Sequence, residues 1–170
     1  EVNGQTRVSN AALTDITVSG TFTITNGTYY HTKGEGNILL TVGETLLIDN
    51  GNFYGLSHTV APAPASAVFN FQDFNFQGGI AKFFDLKTST VTTVIVNCTN
   101  NFEITWESNS DLVELVSYDG NNDASLDFTV GGNFSITGNY ASAYFLSSKA
   151  GGDETVAISG SFSVAGGNAY

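Results

Sequence analysis

Basic residues are nearly absent from this chain. It carries five Lys and Arg against 16 Asp and Glu in 170 residues, a formal charge of −11. Binding to a nucleic-acid backbone or to an anionic bilayer depends on clustered Lys and Arg, so neither is an expected partner. Cysteine is limited to Cys98, which excludes an intrachain disulfide. The two histidines, His31 and His58, lie in other segments of the chain, so no Cys–His dyad is legible. Proline occurs only at Pro62 and Pro64, and no apolar run approaches the length of a membrane span, so no membrane insertion is expected. Methionine is missing even at residue 1, which leads us to expect a processed chain or a segment of a longer one. Charged residues make up 12% of the chain, against roughly 25% in an average globular protein.

What remains is apolar residues set among Gly, Ser, Thr and Asn. A hydrophobic share of 41% with 12% aromatics argues against disorder and for a single domain with a sizeable core. The poverty in Lys and the Thr/Ser/Asn surface lead us to expect an extracellular or cell-surface location.

The dominant feature is a phrase written six times. Its first full copy runs from Ile16 to Gly27, as ITVSGTFTITNG. The copies end at 27, 51, 79, 107, 139 and 167, so successive spacings are 24, 28, 28, 32 and 28. A period in this range marks a solenoid or array. Within a copy, Ile16 and Val18 alternate with polar residues, Gly20 follows, and Phe22 and Ile24 alternate again. A turn pair, Asn26-Gly27, then leads into a third apolar stretch at Tyr29-Tyr30. Period-2 alternation puts one face inside and one outside. The Asn-Gly pair supplies the positive-φ positions that a sharp corner requires.

Stacking the copies yields columns. One reads Phe22, Leu46, Phe74, Phe102, Phe134, Phe162. The next reads Ile24, Ile48, Phe76, Ile104, Ile136, Val164, and a third Val18, Val42, Phe71, Cys98, Val130, Ile158. All are apolar, whereas the neighbouring column Thr23, Leu47, Asn75, Glu103, Ser135, Ser163 is mostly polar. A sandwich of antiparallel hairpins would not give one common period, so the columns favour stacked parallel strands over that rival. The expected fold is all-β: a right-handed parallel β-helix of about six coils of 24–32 residues, with three short strands per coil. Residues 1–170 form one β-helix domain in this reading. Residues 1–15 are a partial preceding coil or pairing segment, and 16–170 are six repeat coils, the last incomplete.

Phrases such as VGGNFSITG at 130–138 and ISGSFSVAGG at 158–167 resemble the parallel β-helix repeat units of secreted bacterial surface adhesins and filament proteins. The resemblance runs from Ile16 to Gly167. It implies a parallel β-helix on a cell surface and carries over no catalytic residue and no cofactor. No cap is legible at either end, and open coils expose unpaired strand edges. The expected function is therefore structural, a subunit or segment of an extracellular filament or adhesin. The expected partner is the chain itself stacked head to tail, or a continuation of the same β-helix.

Two other classes of function are weighed on specific residues. Outward aromatics of the third stretch, namely Tyr30, Tyr54, Phe84 and Tyr144, together with Trp106 at a turn, are candidates for contact with surface glycans or a neighbouring rod. A polysaccharide-active enzyme would need paired carboxylates with a basic residue nearby. The outward candidates are Asp49, Asp73, Glu103 and Glu107, with Lys82 and Lys87, and scattered solvated charge explains them equally well. We expect no enzyme. For metal, Asp119, Asn121 and Asp123 fall at positions 1, 3 and 5 of a calcium loop. Ala124 stands where glycine should be and Val130 where glutamate should be, so a solvated polar loop is expected instead. Cys98, as a member of an apolar column, reads as a buried structural thiol.

Overall fold

The computed structural model describes residues 5–9, 14–32, 37–58, 66–86, 93–105, 108, 111–118, 125–138, 142–147, 153–166 and 168–169. These form strands β1 (Gln5–Ser9), β2 (Thr14–Val18), β3 (Phe22–Thr25), β4 (Thr28–Thr32), β5 (Ile38–Asp49) and β6 (Gly51–His58). They continue as β7 (Ser66–Phe76), β8 (Gly79–Leu86), β9 (Thr93–Cys98), β10 (Phe102–Thr105), β11 (Leu112–Tyr118) and β12 (Ser125–Val130). The last are β13 (Phe134–Thr137), β14 (Ser142–Ser147), β15 (Glu154–Ile158), β16 (Phe162–Ala165) and β17 (Asn168–Ala169).

Every pairing between these strands is parallel, and strands pair with their counterparts one copy away. The molecule is a β-solenoid with two sheets wrapped round one core. The first sheet carries the first two stretches of each copy, and the second stacks the third stretches in the order β1-β4-β6-β8-β11-β14-β17. Two stretches of a copy thus share a sheet. In β5 and β7 they fuse into strands of 12 and 11 residues.

The solenoid makes about four turns, fewer than the six coils expected from the repeat count. The copies that start at β5, β7, β9 and β12 have a rank above and below. In the first sheet the first and last copies are outer ranks, with described neighbours on one side only, whereas in the second sheet β4 of the first copy pairs with both β1 and β6. Val42 pairs with Phe71 but Thr45 with Asp73, a one-residue register shift that marks a bulge at Gly43-Glu44.

The apolar columns are register partners, as expected. Phe22 faces Leu46, Leu46 faces Phe74, Phe74 faces Phe102, Phe102 faces Phe134 and Phe134 faces Phe162. The rings at 74, 102, 134 and 162 stack at 4.2, 5.4 and 5.2 Å. These separations bracket the inter-strand spacing of about 4.8 Å that the backbone imposes. Ile24, Ile48, Phe76, Phe74, Phe102 and Phe134 are fully buried.

Corners between the sheets form as the Asn-Gly pairs predict. Asn26 and Asn50 both adopt φ 52°, and Gly78 and Gly79 hold the same corner one rank on at 118° and 98°. A Cβ on Gly79 would collide with the carbonyl oxygen of Gly51, so only glycine lets these ranks approach.

Candidate contact surfaces

Three candidate surfaces are formed by the described residues: the outward row of the second sheet, the last rank of the first sheet, and a groove on the outside of the first sheet.

The outward row of the second sheet holds two of the sequence-predicted aromatics. Tyr30 pairs in register with Tyr54, and their rings stack at 4.9 Å and 12°. Rings stacked at the rung spacing stand across the axis, so each turns a face to its neighbour and an edge to solvent. Tyr54 pairs with Lys82, Lys82 with Glu114 and Glu114 with Tyr144. Lys82 Nζ lies 2.9 Å from Glu114 Oε2, with the two side chains only 20% and 11% exposed. That oxygen makes the ion pair without a hydrogen bond of standard geometry. Tyr144 shares the row by its backbone; its side chain, like Trp106, lies outside the described residues.

Phe84 does not belong to this row, and the expectation of an outward Phe84 is corrected. It pairs with Leu56 and is fully buried, as are Phe83 and Leu56. Strict alternation fails because buried residues come in succession at 83–84 and 115–116. The aromatic also moves two residues along the strand between ranks. Tyr29 and Phe53 stack at one level, where the next rank has Ala81. Phe83 instead packs 5.2 Å from Phe53 and 5.4 Å from Phe69. Gly55 leaves room, since a Cβ there would meet the ring of Phe69. Large and small residues have exchanged positions, which a column alignment by residue pair does not reveal.

The last rank of the first sheet is open. Val156, Phe162 and Val164 are 49%, 54% and 38% exposed, whereas their register partners Phe128, Phe134 and Ile136 are fully buried. Among the described strands, β15 pairs only with β12 and β16 only with β13. A row of side chains at the bend before the Phe column adds direction. Asp73 Oδ1 accepts the N–H of Asn101 (3.1 Å). Asn101 Oδ1 accepts that of Asn133, and Asn133 Oδ1 that of Ser161, both at 3.0 Å. Each rank thus caps a backbone donor of the next.

The groove, of about 790 Å³, runs along the axis over five ranks where the first sheet bends. Its wall is the outward row Thr41, Asn70, Asn97, Thr129 and Ala157, register partners of one another. Thr129 Oγ1 donates to Asn97 Oδ1 (2.8 Å), and Asn97 Nδ2 donates to Asn70 Oδ1 (2.9 Å). Its floor includes Gly43, Gln72, Thr99 and Gly131. The expectations did not include this groove, although its signal was legible: the residues just before the Val18 column are Thr, Thr, Asn, Asn, Thr and Ala, all small or amide.

Cys98 lies beside the groove but points inward, 1% exposed. Its sulfur is within reach of the carbonyls of Gln72 (3.2 Å) and Asn101 (3.1 Å). Burial pushes the thiol up to about 12, only partly offset by backbone hydrogen bonds from Phe74 and Asn100. Such a thiol is not a nucleophile at neutral pH.

The carboxylates considered for catalysis are dispersed. Asp73 pairs in register with Thr45 and is engaged at the bend, whereas Glu103 pairs with Asn75 and is exposed. Lys82 is held by Glu114. Glu107, Lys87 and the loop with Asp119, Asn121 and Asp123 lie outside the described residues. Among the described residues, no group of three His, Cys, Asp or Glu side chains is placed to hold a metal ion. No family model matches the chain, and no curated protein and no solved structure does either.

Proposed function

We propose that this chain is a structural solenoid, a subunit or segment of an extracellular surface filament or adhesin that lengthens by stacking coils head to tail. The observation that carries the reading is the last rank of the first sheet. Three column side chains are about half exposed there, beside two strand edges with no described partner. Ser161, whose N–H and hydroxyl both donate to Asn133 Oδ1, is the last described member of the row of caps. The opposite edge of the same sheet, β2 and β3, is likewise paired on one side only among the described strands. The two edges are parallel continuations of each other's pattern, because the columns repeat.

Magnitudes decide what must hold such a junction. Fully burying a Val or Phe side chain contributes about 1.5–3 kcal/mol, so completing the burial of these three gives on the order of 3 kcal/mol. Association costs roughly 4–15 kcal/mol in lost freedom. Strand pairing along β15 and β16, at about 0.5–1.5 kcal/mol per hydrogen bond, has to supply the difference. The test is sedimentation of the purified chain over a range of concentrations. The expected result is reversible, concentration-dependent association that Val156→Lys and Val164→Lys abolish without unfolding the chain. A monomer at high concentration overturns head-to-tail stacking.

A further inference from the structure

We infer that the groove on the outside of the first sheet binds a neutral, linear polysaccharide laid along the solenoid axis. None of the described residues that line it is charged, on a chain that carries 21 charged residues and a net −11. A groove for a phosphate, sulfate or uronate polymer would present cations, and one for a basic peptide would present carboxylates. Its outward wall presents amides and hydroxyls, which both donate and accept, and the rest of its lining is mostly apolar, as the C–H faces of a sugar ring are. Sugar hydroxyls also do both, and an uncharged polyol leaves no unpaired ion behind when it is desolvated.

The wall is held in place before any ligand arrives. The chain Thr129 to Asn97 to Asn70 fixes which way the two amides face. It uses one Nδ2 hydrogen and one Oδ1 lone pair of Asn97, and the described residues leave both Asn70 Nδ2 hydrogens and the Thr129 lone pairs for a ligand. At the floor, glycine lets adjacent ranks approach closely. A Cβ on Gly131 would collide with the carbonyl oxygen of Thr99, and one on Gly43 with that of Ser19. The backbone itself therefore lines the floor at two ranks.

Repetition selects a polymer over a single sugar. Thr or Asn stands at four successive rungs, Thr41, Asn70, Asn97 and Thr129, about 4.8 Å apart, and with Ala157 the five ranks offer a track of roughly 19 Å. A chain of like units meets like donors and acceptors along that track, and each unit adds to the binding of the next. An extended peptide has no such match, because the wall shows side chains and its strand edges are already paired. The site lies on the sheet opposite the Tyr30–Tyr54 row, and its occupancy is separate from axial stacking.

The experiment is affinity electrophoresis and calorimetry of the whole chain against soluble neutral β-glucans, xylan and mannan, with polygalacturonate and heparin alongside. Gln72 is exposed on the groove floor, so Gln72→Trp fills the groove without touching the core. Asn97→Asp keeps the shape and introduces charge. The expected result is retention by at least one neutral polymer, lost in Gln72→Trp and weakened about tenfold or more in Asn97→Asp, the effect of one lost hydrogen bond left unsatisfied. Tyr54→Ser leaves binding unchanged. Three results overturn the inference: no neutral polymer binds, binding survives Gln72→Trp, or the anionic polymers bind as well as the neutral ones. Self-association that disappears in Gln72→Trp also overturns it, since the groove is then a contact between copies.

Discussion

Phe102 is fully buried between two rings of its own column, Phe74 at 4.2 Å and Phe134 at 5.4 Å. Truncation there removes contacts on both sides and leaves a cavity no neighbour fills. Phe102→Ala is expected to cost about 3–5 kcal/mol, read as a shift in the urea midpoint. Phe162→Ala, in the same column but 54% exposed, should cost roughly 1 kcal/mol. Cys98 gives a second test. Its folded pKa of about 12 stands above its ordinary 9.0, so the thiol stabilises the fold fully below pH 9 and loses that contribution as pH rises towards 12. Alkaline denaturation of the wild type should therefore be steeper in this window than that of Cys98→Val, which restores the residue found at 42 and 130. A thiol reagent at pH 8 should label only the unfolded chain. The inward columns were legible because apolar residues recur at register positions. Phe84 was not, because the successive residues Phe83 and Phe84 are both buried and large and small residues exchange positions between ranks.

At the scale of the element, corners and bends set the register. Asn50 adopts φ 52°, where a β-branched residue is strained by about 1–2 kcal/mol. Asn50→Val should destabilise by that amount and Asn50→Gly by only a few tenths of a kcal/mol. One corner uses a different device. Asp111 accepts the N–H of Gly79 at 2.9 Å, the N–H of Ser108 at 2.7 Å and the hydroxyl of Ser108 at 3.1 Å. This carboxylate ties a longer corner to the rank before it. Asp111→Ala should cost roughly 2–3 kcal/mol in chemical denaturation, because Gly79 and Ser108 lose a charged acceptor. The Asn-Gly corners were readable from residue type alone. Asp111 was not, since it sits in the copy with the longest spacing and has no counterpart in the others, and its partner Gly79 is 32 residues away.

On the scale of the whole molecule, the charge of −11 opposes the proposed stacking. Copies of like sign repel over a Debye length of about 10 Å at 0.1 M salt, and only about 3 Å at 1 M. Head-to-tail association should therefore strengthen with salt in sedimentation runs, the reverse of a contact held by ion pairs. The architecture was legible because a solenoid writes its fold once per coil. The surfaces were less so, because a groove arises from the bend of the first sheet, which no single copy encodes. The caps at that bend also run one way: Asp73, Asn101 and Asn133 each hold a donor of the following rank. The rod is consequently polar, like an arrow. Two copies meeting by their last ranks would run the row of caps in opposite senses, so an assembly built on the proposed contact has unlike ends that gain subunits at different rates, and a blocker fitted to one end is inert at the other.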